Sequence, residues 1–366
     1  MITGRRVANE EESAVGATAL ALKRTVAGDK VLFSIAVAAV AFRLALLDNV
    51  WSVASSTMFA TVFSFVVASI LILLLAIAMS MPREGSLAKA ATAQWRTFSA
   101  PGRIIPAICA MLALSLVMNS FAHFKASIPQ FNPYEFDALF AEIDRILHFN
   151  NDPWRILDAV LGYGVITKVI DYTYYAWFLI FYTATGYFIW AAPDSVLRRQ
   201  YLIAFAMIWT LLGIVAATAF ASVGPIFYDD LAGGPSTFTD LMRRLVHVDE
   251  VYGLSTMVVK NELWSNYQNR ELAIISGISA MPSLHNAICI LLYLAARRLD
   301  RRLGYLAAVF AVVIFIGSVH LGWHYAIDAY ASLVAVTLIW KAAGLLARNG
   351  ANAVSIPQIS IEPVQP

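Results

Sequence analysis

The chain has 366 residues, 60% of them hydrophobic and only 14% charged, against about 25% charged in soluble domains. This composition excludes an ordinary soluble domain and reads as a polytopic membrane protein. A net charge of +2 leaves no basic excess for a nucleic-acid partner.

Residues 1–28 are polar and mixed in charge and read as a cytoplasmic N-terminal tail with no cleavable signal. Apolar runs of about 20 residues cross a bilayer as helices. Three are expected in 29–122, over 30–48, 57–80 and 103–122. Five more, over 170–192, 201–223, 284–297, 303–320 and 325–346, fall in a domain spanning 123–346. Eight spans put both termini on one side. Lys and Arg concentrate there, with Arg pairs at Arg198-Arg199, Arg297-Arg298 and Arg301-Arg302. The positive-inside rule makes that side cytoplasmic. Residues 347–366 read as a short disordered cytoplasmic tail. Cys109 and Cys289 fall inside apolar segments, so neither a metal site nor a disulfide framework is expected.

Two long connections lie on the external side. In 123–169, Asn132-Pro133 and Asp152-Pro153 each read as a helix start, a capping side chain before a first-turn proline. The apolar spacing that follows each predicts amphipathic helices in the interface, as a collar or a platform for a lipid head group. The second connection, 224–283, carries Gly224-Pro225 and Gly233-Gly234-Pro235, with Arg243, Arg244, Lys260 and Arg270. It leads into Met281-Pro282-Ser283-Leu284-His285.

Beyond the next hairpin of spans comes Gly317-Ser318-Val319-His320-Leu321-Gly322-Trp323-His324-Tyr325-Ala326-Ile327-Asp328. His324 and Asp328 are spaced i, i+4 and on a helix would share a face. A carboxylate beside an imidazole fixes its tautomer and stabilises its cation. The topology puts His285 and His324 on the same, external face. Two histidines and an aspartate there suit phosphoryl transfer through a covalent intermediate. His324 is the expected nucleophile, Asp328 its partner and His285 the acid for the leaving oxygen. Ser283 at a helix start, with Lys260, Arg270 and His320, are the candidates for gripping phosphate. No metal or other cofactor is expected.

These motifs resemble the type 2 phosphatidic acid phosphatase superfamily, which also includes vanadium haloperoxidases. That family carries a Lys followed after six residues by Arg-Pro, then Pro-Ser-Gly-His, then Ser-Arg, five residues, His, three residues, Asp. Here Leu284 occupies the glycine position, Gly317-Ser318 the Ser-Arg positions, and Lys260 and Arg270 are nine residues apart with no proline following. Ala-Met-Pro-Ser-Leu-His and Leu-Gly-x-His-Tyr-x-x-Asp look like the inositol phosphorylceramide synthase-like members and their bacterial relatives. The resemblance implies an all-α membrane bundle with a six-helix phosphatase-type core. It implies a bacterial inner-membrane enzyme with a periplasmic or external site. A lipid phosphate would be the substrate, and a polyol or lipid hydroxyl the acceptor. A lipid phosphate phosphatase would use the same residues. A transporter is the alternative of another class, drawn from Arg43, Asp171 and Asp328 in or near spans. The sequence assigns no oligomeric state.

Overall fold

The computed structural model describes residues 2–47, 51–234, 236, 238–271, 273 and 275–352. Its regular structure is helical throughout these residues: α1 (Ile2–Gly28), α2 (Lys30–Leu46), α3 (Trp51–Glu84), α4 (Leu87–Ser99) and α5 (Pro101–Phe131) come first. Then follow α6 (Asp137–Leu147), α7 (Pro153–Leu161), α8 (Gly164–Trp190) and α9 (Val196–Ala219). The last five are α10 (Phe238–Tyr252), α11 (Ser255–Asn269), α12 (Leu284–Leu299), α13 (Arg301–His320) and α14 (Ala326–Asn352). Local sequence sets several starts. Ser86, Ser195, Ser283 and Asp300 each accept a backbone N–H of the helix they precede, which satisfies a donor the first turn leaves orphaned.

All eight expected spans fall on helices, but length and apolarity alone support five: α3, α5, α9, α13 and α14. The pair α1 and α2, bent by 73° at Asp29, makes a sixth. α12 has 16 residues, fewer than the roughly 20 a span needs. α8 has 27, but tyrosine, tryptophan and threonine dilute its apolar character. α9 lies at the centre, with 61% of its most apolar window buried, whereas α3 lies outside with 11%.

Three boundaries differ from expectation. α5 runs on to Phe131 with Asn132 as its C-cap, so Asn132-Pro133 ends a helix rather than starting one. The N-terminal stretch is helical, as α1. The second connection folds into α10 and α11, two helices that its short apolar spacing did not announce. Asp152-Pro153 does open α7, with Pro153 in the first turn. Of the tail expected to be disordered, 347–352 continue α14 as helix and 353–366 lie outside the described residues.

Buried polar bonds tie one end of the bundle together. Arg198 reaches both Asp29 oxygens at 3.1 and 2.9 Å and the Pro106 carbonyl at 3.3 Å. Gln200 donates to the Trp340 carbonyl at 2.9 Å. The starts of α2, α5 and α9 thus meet the latter part of α14, beside the Arg pairs. The two histidine motifs lie at the opposite end, with α6, α10 and α11.

Candidate active site

α13 ends at His320, and the chain turns through Gly322, whose φ of +76° suits glycine. His324 sits in that turn, two residues before α14 begins. The His324–Asp328 pair therefore does not form on a shared helical face. Asp328, in the first turn of α14, accepts the Tyr325 N–H at 3.1 Å, and the same oxygen lies 3.2 Å from His324 Nδ1. The helix start and the imidazole are held by one carboxylate. The Ala280 carbonyl lies 2.9 Å from the same Nδ1. Two oxygens facing Nδ1 assign it the proton, which leaves the lone pair on Nε2. Nε2 makes no hydrogen bond among the described residues.

The second motif is knitted to the third. Ser283 caps α12, and its oxygen accepts from Asn286 Nδ2 at 3.0 Å. Asn286 Nδ2 also donates to Ser318 at 2.9 Å, whose hydroxyl donates to Ile314 O at 2.8 Å. Ser332 donates to the Ser283 carbonyl at 2.9 Å. This network fixes the start of α12 against α13 and α14. One residue on, the His285 ring lies 5.9 Å from the His324 ring, centre to centre. Tyr174 and Trp177 hold it, with ring centres at 4.7 and 4.5 Å.

Both histidines line a cavity of about 730 Å³, within the range of small-molecule sites. Lys125, from α5, lines it too and makes no hydrogen bond or ion pair among the described residues. The strand of chain opposite approaches closely. At Gly277, with φ +76°, an added Cβ would lie 2.6 Å from the Lys125 carbonyl carbon, so only glycine fits. A cavity holding an imidazole with a lone pair, a second imidazole and a cation suits phosphate chemistry.

The family model described as PAP2 superfamily matches residues 138–342. The chain belongs to the PAP2 superfamily. No curated protein and no solved structure matches the chain. PAP2 superfamily members are typically phosphatases or phosphotransferases. The match starts inside α6, so α1 to α5, with Lys125, lie before it. Where the PAP2 third motif carries arginine, Ser318 is fully buried in the α12–α13 network. The cation in the cavity comes from α5 instead. Sequence reasoning missed it, although a signal existed: Lys125 is followed after six residues by Asn132-Pro133. That is the spacing of the first PAP2 motif with asparagine for arginine. Asn132 itself donates to the Thr218 and Ala219 carbonyls at 2.9 and 3.1 Å.

The four expected phosphate-binding residues are placed outside the cavity lining. Ser283 is the buried cap just described. Lys260 donates to Asp230 at 3.1 Å and lies 5.2 Å from the Phe227 ring centre. Arg270 is exposed at the left-handed C-cap of α11. His320 is fully buried, with Nε2 2.9 Å from the Thr167 hydroxyl and its carbonyl accepting from Arg244 at 2.8 Å.

Two further residues position the His324 turn, both on α6. Asp137 is buried and accepts from the Val223 and Gly224 N–H groups, at 3.0 and 2.9 Å, and from the Tyr325 hydroxyl at 2.9 Å. Asp144, two turns on, accepts the Ala326 and Ile327 N–H groups at 2.7 and 2.8 Å, the positive end of α14. Burial pushes the Asp144 carboxyl up to about 6, against the pull of those two N–H groups. The three ionisable groups that a transporter reading would use are engaged. Asp171 accepts the Ser255 and Thr256 N–H groups at the start of α11, Arg43 donates to Asn119, and Asp328 holds His324.

Proposed function

We propose that this chain is an integral membrane enzyme that transfers the phosphoryl or phospho-head group of a lipid through a phosphohistidine, at the external face. The observation that carries the reading is His324 itself. Its Nδ1 is fixed by Ala280 O and Asp328, on a residue that lines one cavity with His285 and Lys125. In the first step the Nε2 lone pair attacks phosphorus and the bond to the leaving oxygen breaks. The departing oxygen takes a proton from His285, and Asp328 balances the charge left on the His324 ring. Lys125 balances the phosphate oxygens. In the second step an acceptor hydroxyl attacks phosphorus, its proton passes to His285, and the N–P bond breaks. Leu284 and the lack of arginine at Ser318 support an alcohol acceptor, because both resemble the pattern of the inositolphosphotransferase-like sequences.

The experiment is quenched turnover of the purified protein with radiolabelled lipid phosphates, with and without a polyol. Acid-labile label on the wild type, absent from His324→Ala, is the expected result, together with a new phospho-adduct when polyol is present. Inorganic phosphate as the sole product would replace transfer by hydrolysis at the same residues. Unchanged turnover by His324→Ala would remove the whole reading.

A further inference from the structure

The cavity does not stop at the histidines. α3 contributes lining residues from Thr57 to Leu71, about 21 Å of helix at 1.5 Å per residue. That is comparable with most of the roughly 30 Å hydrocarbon core. α8 forms the facing wall with Tyr174, Phe178, Leu179 and Tyr182. The two helices run side by side in register. Gly186 packs against Ala68, where an added Cβ would lie 3.2 Å from the Ala68 methyl, and Phe65 meets Tyr182 edge-on at 5.2 Å. By the same register Thr57 and Ala60 lie beside Tyr174, which stacks on His285, and Leu71 lies at the far end.

The polar groups of the α3 wall already have partners within the protein. Thr61 and Ser64 donate to the Thr57 and Ala60 carbonyls one turn back, each at 2.8 Å. The Thr57 hydroxyl accepts from Asn119 at 2.5 Å. What remains is aliphatic and aromatic surface. On the rim Phe63 is 57% exposed, Val67 46%, Phe178 48% and Leu179 65%. Phe63 and Val67 belong to α3, long and apolar enough to cross a membrane, so the groove opens sideways onto lipid rather than onto water.

We propose that the groove between α3 and α8 receives the hydrocarbon chain of the substrate, which enters from the bilayer with its phosphate at Lys125, His285 and His324. The occupant is one long apolar chain, prenyl or acyl, and α3 is its ruler. This rests on the reading of the histidine site, since only that site puts the phosphate at one end. It assigns a role in substrate selection to a helix that lies before the PAP2 match.

The test is a chain-length series of prenyl phosphates, monoalkyl phosphates and diacyl phosphatidates in detergent micelles, with wild type, Ala60→Trp and Leu71→Trp. Ala60 and Leu71 are half-buried, so an indole has room to fold. Leu71→Trp should lower turnover only for the longest chains, by about tenfold, the loss of contact for roughly two methylenes. Ala60→Trp, nearer the histidines, should extend that loss to medium chains, with the shortest substrates the least affected. Preference for prenyl or acyl members then identifies which chain the groove takes. A loss that is uniform across lengths, or no loss in either variant, overturns the groove. Failure of the site reading is separate: wild type would then turn over neither short nor long substrates.

Discussion

A single carboxylate at Asp328 caps α14 and orients His324, so its two tasks can be separated by substitution. Asp328→Asn keeps an oxygen that can accept the Tyr325 N–H but loses the charge that supports a cationic or phosphorylated ring. Turnover should fall by about 10²- to 10⁴-fold, the size of an acid–base contribution, while the thermal midpoint in detergent changes little. An equal loss of folding and activity would make Asp328 a structural cap alone. Lys125→Met should raise KM and lower kcat/KM for a lipid phosphate by about ten- to hundredfold, the worth of one charge-assisted hydrogen bond of roughly 1.5–3 kcal/mol. Lys125→Arg should restore part of it. Unaltered kinetics in Lys125→Met would remove the lysine from the site. At this scale His285, His324 and Asp328 were legible in the sequence, because their spacing is local to two short motifs. Lys125 was not, because the arginine that marks its motif is Asn132 here, and Asn132 answers to two backbone carbonyls. Lys260 and Arg270 drew attention through their nearness in sequence to His285. The fold pairs one with Asp230 and leaves the other at a helix end.

The helix that most changes meaning is α6. Its apolar spacing predicts an amphipathic helix, and Asp137–Leu147 is helical, but its polar positions hold the His324 turn. Asp137 and Asp144 are seven residues apart, two turns, and so face the same way. Periodicity alone marks such residues as solvent-facing, since a buried acid becomes visible only once its backbone partners are known. Asp144 makes this testable through pH. Its folded value of about 6 lies above its ordinary value near 4. The folded state therefore binds its proton more tightly than the unfolded state. Stability from this group rises as pH falls through 6 and is fully present below about 4. Asp144→Asn lacks the titration. Wild type should thus gain on the variant by up to about 3 kcal/mol between pH 7 and pH 4, read as the difference in unfolding midpoint in detergent. Parallel pH profiles for the two proteins would show that Asp144 does not titrate in this window.

Across the whole molecule, charge and chemistry are placed at opposite ends. The Arg198–Asp29 pair and the Gln200 bond gather the starts of α2, α5 and α9 with α14, while Asp137, Asp144 and Asp171 organise the histidine end. The span pattern was legible because hydropathy is a property of each segment alone. The count of eight goes beyond what length and apolarity show, because α12 has only 16 residues and several are buried among neighbours. Basic connections on one end predict that this end is cytoplasmic, and that the His324 turn faces outward. Phe149, 90% exposed between α6 and α7, and Arg301, exposed at the start of α13, report the two ends. In a Cys109→Ala, Cys289→Ala background, Phe149→Cys should react with a membrane-impermeant maleimide in intact cells. Arg301→Cys should react only after permeabilisation. The reverse pattern would turn the molecule over and put its chemistry, and any lipid phosphate it meets, on the cytoplasmic leaflet.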